Sequence, residues 1–186
     1  MRDKVIVIGG CHHNTLGVLR SLGIKGIFPT LIAITDKNDP YIKYCKYIDE
    51  YKQLSDVKTV ADYLLSIGNT NNKRIIISCA DFVTSYLDIN YDKLSPYYIL
   101  PLGRKQGEIK THMDKNKMAQ TALKSGFSIP FYQIYTEQSL KTANIPYPCI
   151  TKPLNSVDGT KSQIKVFDNN DSLQKHLNEN LDTSFI

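Results

Sequence analysis

Apolar positions in this chain alternate between two rhythms. Short continuous runs, "KVIVIGG" (4–10), "TLIAIT" (30–35), "RIIIS" (74–78) and "YYIL" (97–100), have the length and β-branched character of strands, and "YIDEYKQL" (47–54) reads as a weaker one. Between them the spacing turns helical. Leu16, Leu19 and Leu22 predict a helix with Asn14 as N-cap and Gly23 as its C-terminal stop. Val57, Val60, Ala61, Leu64 and Leu65 predict another, capped by Ser55 or Asp56 and ending at Gly68, and Asp81 opens a third in "DFVTSYLDIN". Unbroken apolar strands separated by amphipathic helices imply a parallel sheet buried on both faces, so residues 1–102 are expected to form one doubly wound α/β domain.

The character changes over 103–186. A helix is expected from about 114 to 125, then a strand in "IPFYQIY" (129–135), a short helix from near Thr136, and a strand pair in "PCITKP" (148–153) and "SQIKVF" (162–167). A last helix should have Asp171 at its cap with Leu173, Leu177 and Leu181 facing inward.

Composition narrows the class. At 186 residues the chain has room for one domain and part of a second, and 41% hydrophobic with 22% charged residues is ordinary for a globular protein. No apolar run approaches the roughly 20 residues that cross a bilayer, and the first apolar stretch, "VIVI", is too short for a secretory signal; the reading is cytoplasmic, with no membrane partner. Cys11, Cys45, Cys79 and Cys149 form no C-x-x-C pair, which argues for reduced thiols and against a zinc or disulfide framework. The net charge of +5 is spread evenly along the chain. Its one basic cluster, "GRKQGEIKTHMDKNK", lacks interleaved aromatics for base stacking, so no nucleic-acid partner is expected.

"VIVIGGCHHNTLG" invites a dinucleotide reading that its spacing refuses. A G-x-G-x-x-G pattern begun at Gly9 or Gly10 needs glycine where Cys11 or His12 stands. Cys11, His12 and His13 are also consecutive in one turn, a poor geometry for a metal site or a Cys–His dyad. As polar residues at the carboxyl end of a parallel sheet, Gly10, His12, His13 and Asn14 line the crevice where such folds bind small ligands, and Asp81, beyond the fourth strand, opens onto it unless it merely caps its helix.

In "CITKPLNSVDGTKSQIKV" (149–166) Lys152 sits where a buried strand emerges, an arrangement that suits an anion opposite it. The loop that follows supplies Ser156, Gly159, Thr160 and Lys161: hydroxyls, a permissive backbone and a second cation, the parts of a phosphate lid. Earlier, "MDKNKMAQTALKSGFSIP" places Lys115 at a helix start and ends in Gly126 and Pro130. This order resembles the ATP-grasp superfamily of ligases related to biotin carboxylase and carbamoyl phosphate synthase. There an "sDK" helix ending "GIP.P" precedes a strand ending "KP" and a Gly/Ser loop, after a small α/β pre-ATP-grasp domain opening "ILVLGGG".

The resemblance implies a Rossmann-like pre-ATP-grasp domain at 1–102 and the first, α+β lobe of an ATP-grasp domain at 103–186, an N-terminal portion of the whole. It also implies a carboxylate–amine ligase that uses ATP and Mg2+, with the magnesium ligands expected beyond residue 186 and the piece inactive alone. Lys115 and Lys152 correspond to the two lysines that contact ATP phosphates, and Ser156, Gly159, Thr160 and Lys161 to the phosphate loop, although Ser162 stands where the family has glycine. Gly10, His12, His13, Asn14 and Asp81 would face the acceptor substrates, a small carboxylate and an amine, and a homodimer is a possible assembly. The competing reading is a noncatalytic or NAD-type Rossmann-like protein that binds a nucleotide or sugar.

Overall fold

The computed structural model of the chain describes residues 4–69, 71–101, 103–136, 145–155 and 163–186. They pack as two units, Met1–Lys110 and Thr111–Ile186.

In the first unit the apolar runs pair as the strands β1 (Val5–Gly10), β2 (Thr30–Ile34), β3 (Glu50–Leu54), β4 (Arg74–Ser78) and β5 (Tyr98–Ile99). All pair parallel, in the order β3-β2-β1-β4-β5, with β1 at the centre. The α/β class is therefore the one expected. Even-numbered β1 residues, Ile6 and Ile8, point into one core with Ile32, Ile76 and residues of the helices α2 (Val60–Ile67), α3 (Asp81–Ile89) and α4 (Tyr91–Leu94). Val5 and Val7 point into a second core beneath α1 (His13–Ile24). Each fully buried Ile or Leu contributes about 1.5–3 kcal/mol, which makes β1 the anchor of the unit.

Two-sided burial holds at β1 and β2 and fails further along the sheet. Ile75 is 43% exposed and Ile99 56%. These two residues are register partners, on the face whose core draws its helical side chains from α1; the helices after β3 and β4 feed the other core.

Local signals were partly misassigned by pattern alone. Asp56 does cap, accepting from the Lys58 amide, but the capped element is a 3-10 turn, Val57–Thr59, that runs into α2. The N-cap of α1 is His12, with extended backbone and no side-chain bond, so Asn14 lies inside the first turn. Gly23 is likewise not the stop: α1 runs on to Ile24, and Gly26, at φ 74°, makes the left-handed turn beyond it. Gly23 is small for another reason, because a Cβ there would lie 2.2 Å from Cγ of Tyr47. For α3 the cap position is Ala80, so Asp81 is the first helical residue rather than the cap.

A short helix, α5 (Glu108–His112), contains the boundary between the units. The second unit has α6 (Lys115–Lys124), the antiparallel pair β6 (Cys149–Thr151) and β7 (Lys165–Phe167), and α7 (Asn170–Asn178). Its core joins Tyr135, Phe167, Leu173, Leu177 and Phe185. The cap of α7 is Asn169, which accepts from the Ser172 amide, and not Asp171. Leu173 and Leu177 are buried, whereas Leu181, beyond the helix end, is exposed. The segment "IPFYQIY" is not a strand: only Tyr135 pairs, bridging to Phe185. The helix expected from near Thr136 falls almost wholly outside the described residues.

Candidate functional site

The site is built on the start of α6 and the exit of β6. Asp114, with extended backbone, caps α6 by accepting from the Lys117 amide at 2.9 Å, and so sets Lys115 at the first helical position. At the other end Gly126, at φ 82°, closes the helix, with the Phe127 amide donating back to Ala122 O at 3.0 Å. Lys115 is tied to the β6 exit twice: its backbone amide donates to Leu154 O at 3.0 Å, and its ammonium to Pro153 O at 2.5 Å. Asp114 and Asn155 form a β-bridge alongside.

The β6 exit is held in turn by the last residues of the chain. Lys152 and Ile186 exchange two backbone hydrogen bonds of 2.9 Å each, and the Leu154 amide donates to Ser184 O at 2.8 Å. On its other side the same segment exchanges two 2.9 Å bonds between Phe185 and Tyr135. Residues 184–186 thus act as a strand between Tyr135 and the "TKPL" stretch, an arrangement that no apolar run in "LDTSFI" announces.

Lys115 and Lys152 line one cavity of about 750 Å³. Its wall is mostly apolar, from Met118 and Ala122 on α6, Ile129 and Phe131 after it, and Ile145 and Ile150. Its polar side chains include Gln133, Thr151, Tyr135 and the two lysines, together with Tyr132, whose hydroxyl donates to Asn116 Oδ1 at 3.1 Å. Lys115 is half-buried there and Lys152 exposed, so the weaker dielectric screening beside an apolar wall acts mainly on Lys115. Cys149 also lines the cavity, and burial, then the charge of Asp168, pushes its thiol pKa up. The pattern missed Phe131, Tyr132 and Gln133 because a strand would have sent alternate side chains to opposite faces. The legible signal was proline: Pro130, Pro146 and Pro148 withhold N–H donors along both flanking segments. Ser156, Gly159, Thr160 and Lys161 lie outside the described residues. Lys117 and Lys124 are exposed.

In the first unit, Gly10 ends β1, His12 to Asn14 form the start of α1, and Asp81 starts α3. β1 and β4 are neighbours, with the Cys79 amide donating to Ile8 O at 2.8 Å, so these residues lie at the carboxyl ends of adjacent strands. The glycine turn is filled by the protein's own side chains. A Cβ on Gly9 would lie 2.5 Å from Thr15 Oγ1 and 2.8 Å from Cys79 Cβ, and one on Gly10 2.9 Å from the His12 ring. Thr15 Oγ1 donates to Gly10 O at 2.8 Å in a buried position. The glycines admit Thr15, Cys79 and His12, where a dinucleotide turn would admit a pyrophosphate. Among the described residues no cluster of His, Cys, Asp or Glu could hold a metal, and no helix is long and apolar enough to cross a membrane.

No protein-family model matches the chain, and no curated protein matches it. Solved structures do. The L-amino acid ligase from Bacillus licheniformis superposes with a TM-score of 0.67 at 15% identity, over 100% of this chain and 44% of that one. An ADP complex of N5-carboxyaminoimidazole ribonucleotide synthetase gives 0.63 at 14%, over 97% and 45%. The ADP-bound N5-carboxyaminoimidazole synthetase from Staphylococcus aureus gives 0.61 at 18%, over 98% and 45%. The fold of this chain is the one these three enzymes carry over the matched part of their length. The likeness is one of fold, and the chain spans less than half the length of each of the three.

Proposed function

We propose that this chain is the nucleotide-phosphate half of an ATP-dependent carboxylate–amine ligase. The supporting observation is that Lys115 and Lys152, on different elements, line one apolar-walled cavity. The flat apolar surfaces suit a nucleobase, and the ammonium groups suit a polyphosphate. The Lys115 ammonium, donating to Pro153 O, is held at the cavity wall as a positive charge for a phosphate. The loop with Ser156, Gly159, Thr160 and Lys161 would close over the terminal phosphates.

In the reaction proposed, a substrate carboxylate oxygen attacks the γ-phosphorus of ATP, ADP leaves, and an acyl phosphate forms. An amine nitrogen then attacks the acyl carbon and phosphate departs. The contribution of these residues is to bind and orient the triphosphate and to compensate the charge that gathers on ADP. Magnesium does not fit the donor set described: the polar side chains lining the cavity are two lysines, Gln133, Thr151, Tyr132, Tyr135 and Cys149, with no carboxylate side chain among the described residues. The carboxylate and amine would meet the turn at Gly10, His12, His13, Asn14 and Asp81. The NAD-type alternative has the filled glycine turn against it.

A labelled substrate tests the chemistry. In the longest natural protein containing these residues, a carboxylate labelled with 18O should transfer one labelled oxygen to the phosphate released. Turnover that leaves the phosphate unlabelled would exclude an acyl phosphate. For the chain itself, ATP should displace a fluorescent ATP analogue and NADH should not; displacement by NADH alone would favour the rival.

A further inference from the structure

We propose that His176 is an acid-sensitive latch on the chain segment that positions Lys152, its protonation releasing that segment from the core of the second unit. His176 lies on α7, buried, with its ring between Phe167 on β7 (centroids 5.1 Å apart) and Phe185 (5.3 Å). Phe185 is the middle residue of the 184–186 segment, whose backbone bonds hold Tyr135 on one side and Lys152 and Leu154 on the other. Displacing its side chain therefore loosens a segment that holds the β6 exit and, through it, the Pro153 and Leu154 carbonyls that bind Lys115.

The ring is set up to be neutral. Nε2 is buried and makes no hydrogen bond of ordinary geometry among the described residues, while the Gln163 carbonyl lies toward the ring and favours its protonation. Nδ1 faces the Asn180 amide nitrogen at 3.4 Å, and that amide is already donating to His176 O at 2.8 Å. An imidazolium would need acceptors for two N–H groups and would find an N–H donor opposite one of them. The charged groups that act on the ring are Lys165 from β7, which opposes a second positive charge, and Glu179 from its own helix, which favours one. From the 184–186 segment the Phe185 ring packs against it. Burial is the largest influence, and the pKa is lowered.

The sign follows. A histidine whose native pKa lies below its unfolded value contributes stability in full above about pH 6.5 and loses it as pH falls toward and through the native value. The loss approaches tenfold in the opening equilibrium per pH unit. The structural part of this inference needs no nucleotide, and only its consequence at Lys152 rests on the function proposed above.

Amide hydrogen exchange on the ligand-free chain, corrected for intrinsic rates, tests it from about pH 7.5 to about pH 5. Protection of the Leu154, Phe185 and Ile186 amides should fall as pH drops below about 6.5, by up to about tenfold per pH unit. The β1 amides in the first unit should hold, and His176→Phe, which keeps a ring without a titrating nitrogen, should flatten the profile. Constant protection in the parent chain, or an equal fall in His176→Phe, would overturn the proposal. Should His176→Phe not fold, the ring of the parent chain decides by NMR. A titration midpoint below about 6.5 that coincides with opening of the segment supports the latch, and one at or above that value, or separate from the opening, refutes it.

Discussion

Replacing Gly23 by alanine should reverse its effect on stability according to what stands at position 47. In the native chain the new methyl would lie 2.2 Å from Cγ, 2.3 Å from Cδ1 and 2.4 Å from Cβ of Tyr47. The ring must move, and it is restrained by its tilted contact with Phe28 at 6.4 Å and by the Lys46 ammonium 5.1 Å from its centroid. Overpacking of this kind costs about 1–3 kcal/mol. With Tyr47→Gly, which removes Cβ as well as the ring, the clash disappears and only the helix propensity at position 23 remains, which favours alanine over glycine by about 0.5–1 kcal/mol. The double-mutant cycle should therefore show a coupling of about 1–3 kcal/mol, since the propensity gain is common to both backgrounds and cancels, with Gly23→Ala destabilising in one background and stabilising in the other. Native-state exchange of the Val7 and Ile8 amides in the central strand reports the first unit alone and is the assay of choice. If Gly23→Ala stabilises both backgrounds, the close approach of Tyr47 is not what holds that position small.

Other expectations follow from single contacts. Asp114→Ala removes the acceptor for the Lys117 amide and should cost about 1 kcal/mol in urea unfolding of the second unit, with Asp114→Asn recovering most of it. Thr15→Val deletes the buried bond to Gly10 O and should lower the first unit's stability by about 1 kcal/mol; an unchanged unfolding midpoint would show that the hydroxyl is dispensable. Cys149, with its thiol pKa raised by burial and by Asp168, should alkylate more slowly at neutral pH than a free thiol. Mass spectrometry should show ATP slowing it further, because the thiol lines the same cavity as the lysines.

The parallel sheet was legible because hydrophobic rhythm reports burial directly: β1 and β2 are interior strands, buried almost throughout and carrying one polar residue, Thr30. Helix ends were less so, since Asn14, Asp81 and Asp171 each sit one or two residues inside the end they were expected to cap, a shift that costs sequence patterning nothing. Gly23 and Gly9 were read as turn residues, whereas the space around them is taken by Tyr47, Thr15 and Cys79, residues distant or merely nearby in sequence. Lys115 and Lys152 could be singled out from an Asp-Lys helix start and a Lys-Pro strand exit. Their convergence on one cavity depends on residues 184–186 pairing backward across the unit, and long-range backbone pairing leaves no periodic trace. The same holds for His176, one polar residue on an otherwise apolar helix face.

The claim that two lysines share one polyphosphate is tested most directly by calorimetric titration of ATP into the chain and into Lys152→Glu. The exchange protection of the Leu154 and Ile186 amides serves as the control that the fold survives. Saturable binding that weakens by at least about tenfold in Lys152→Glu is the result expected, since a hydrogen bond to a charged group contributes about 1.5–3 kcal/mol and the swap adds repulsion. An ATP affinity that Lys152→Glu leaves unchanged, with the fold intact, would contradict the account.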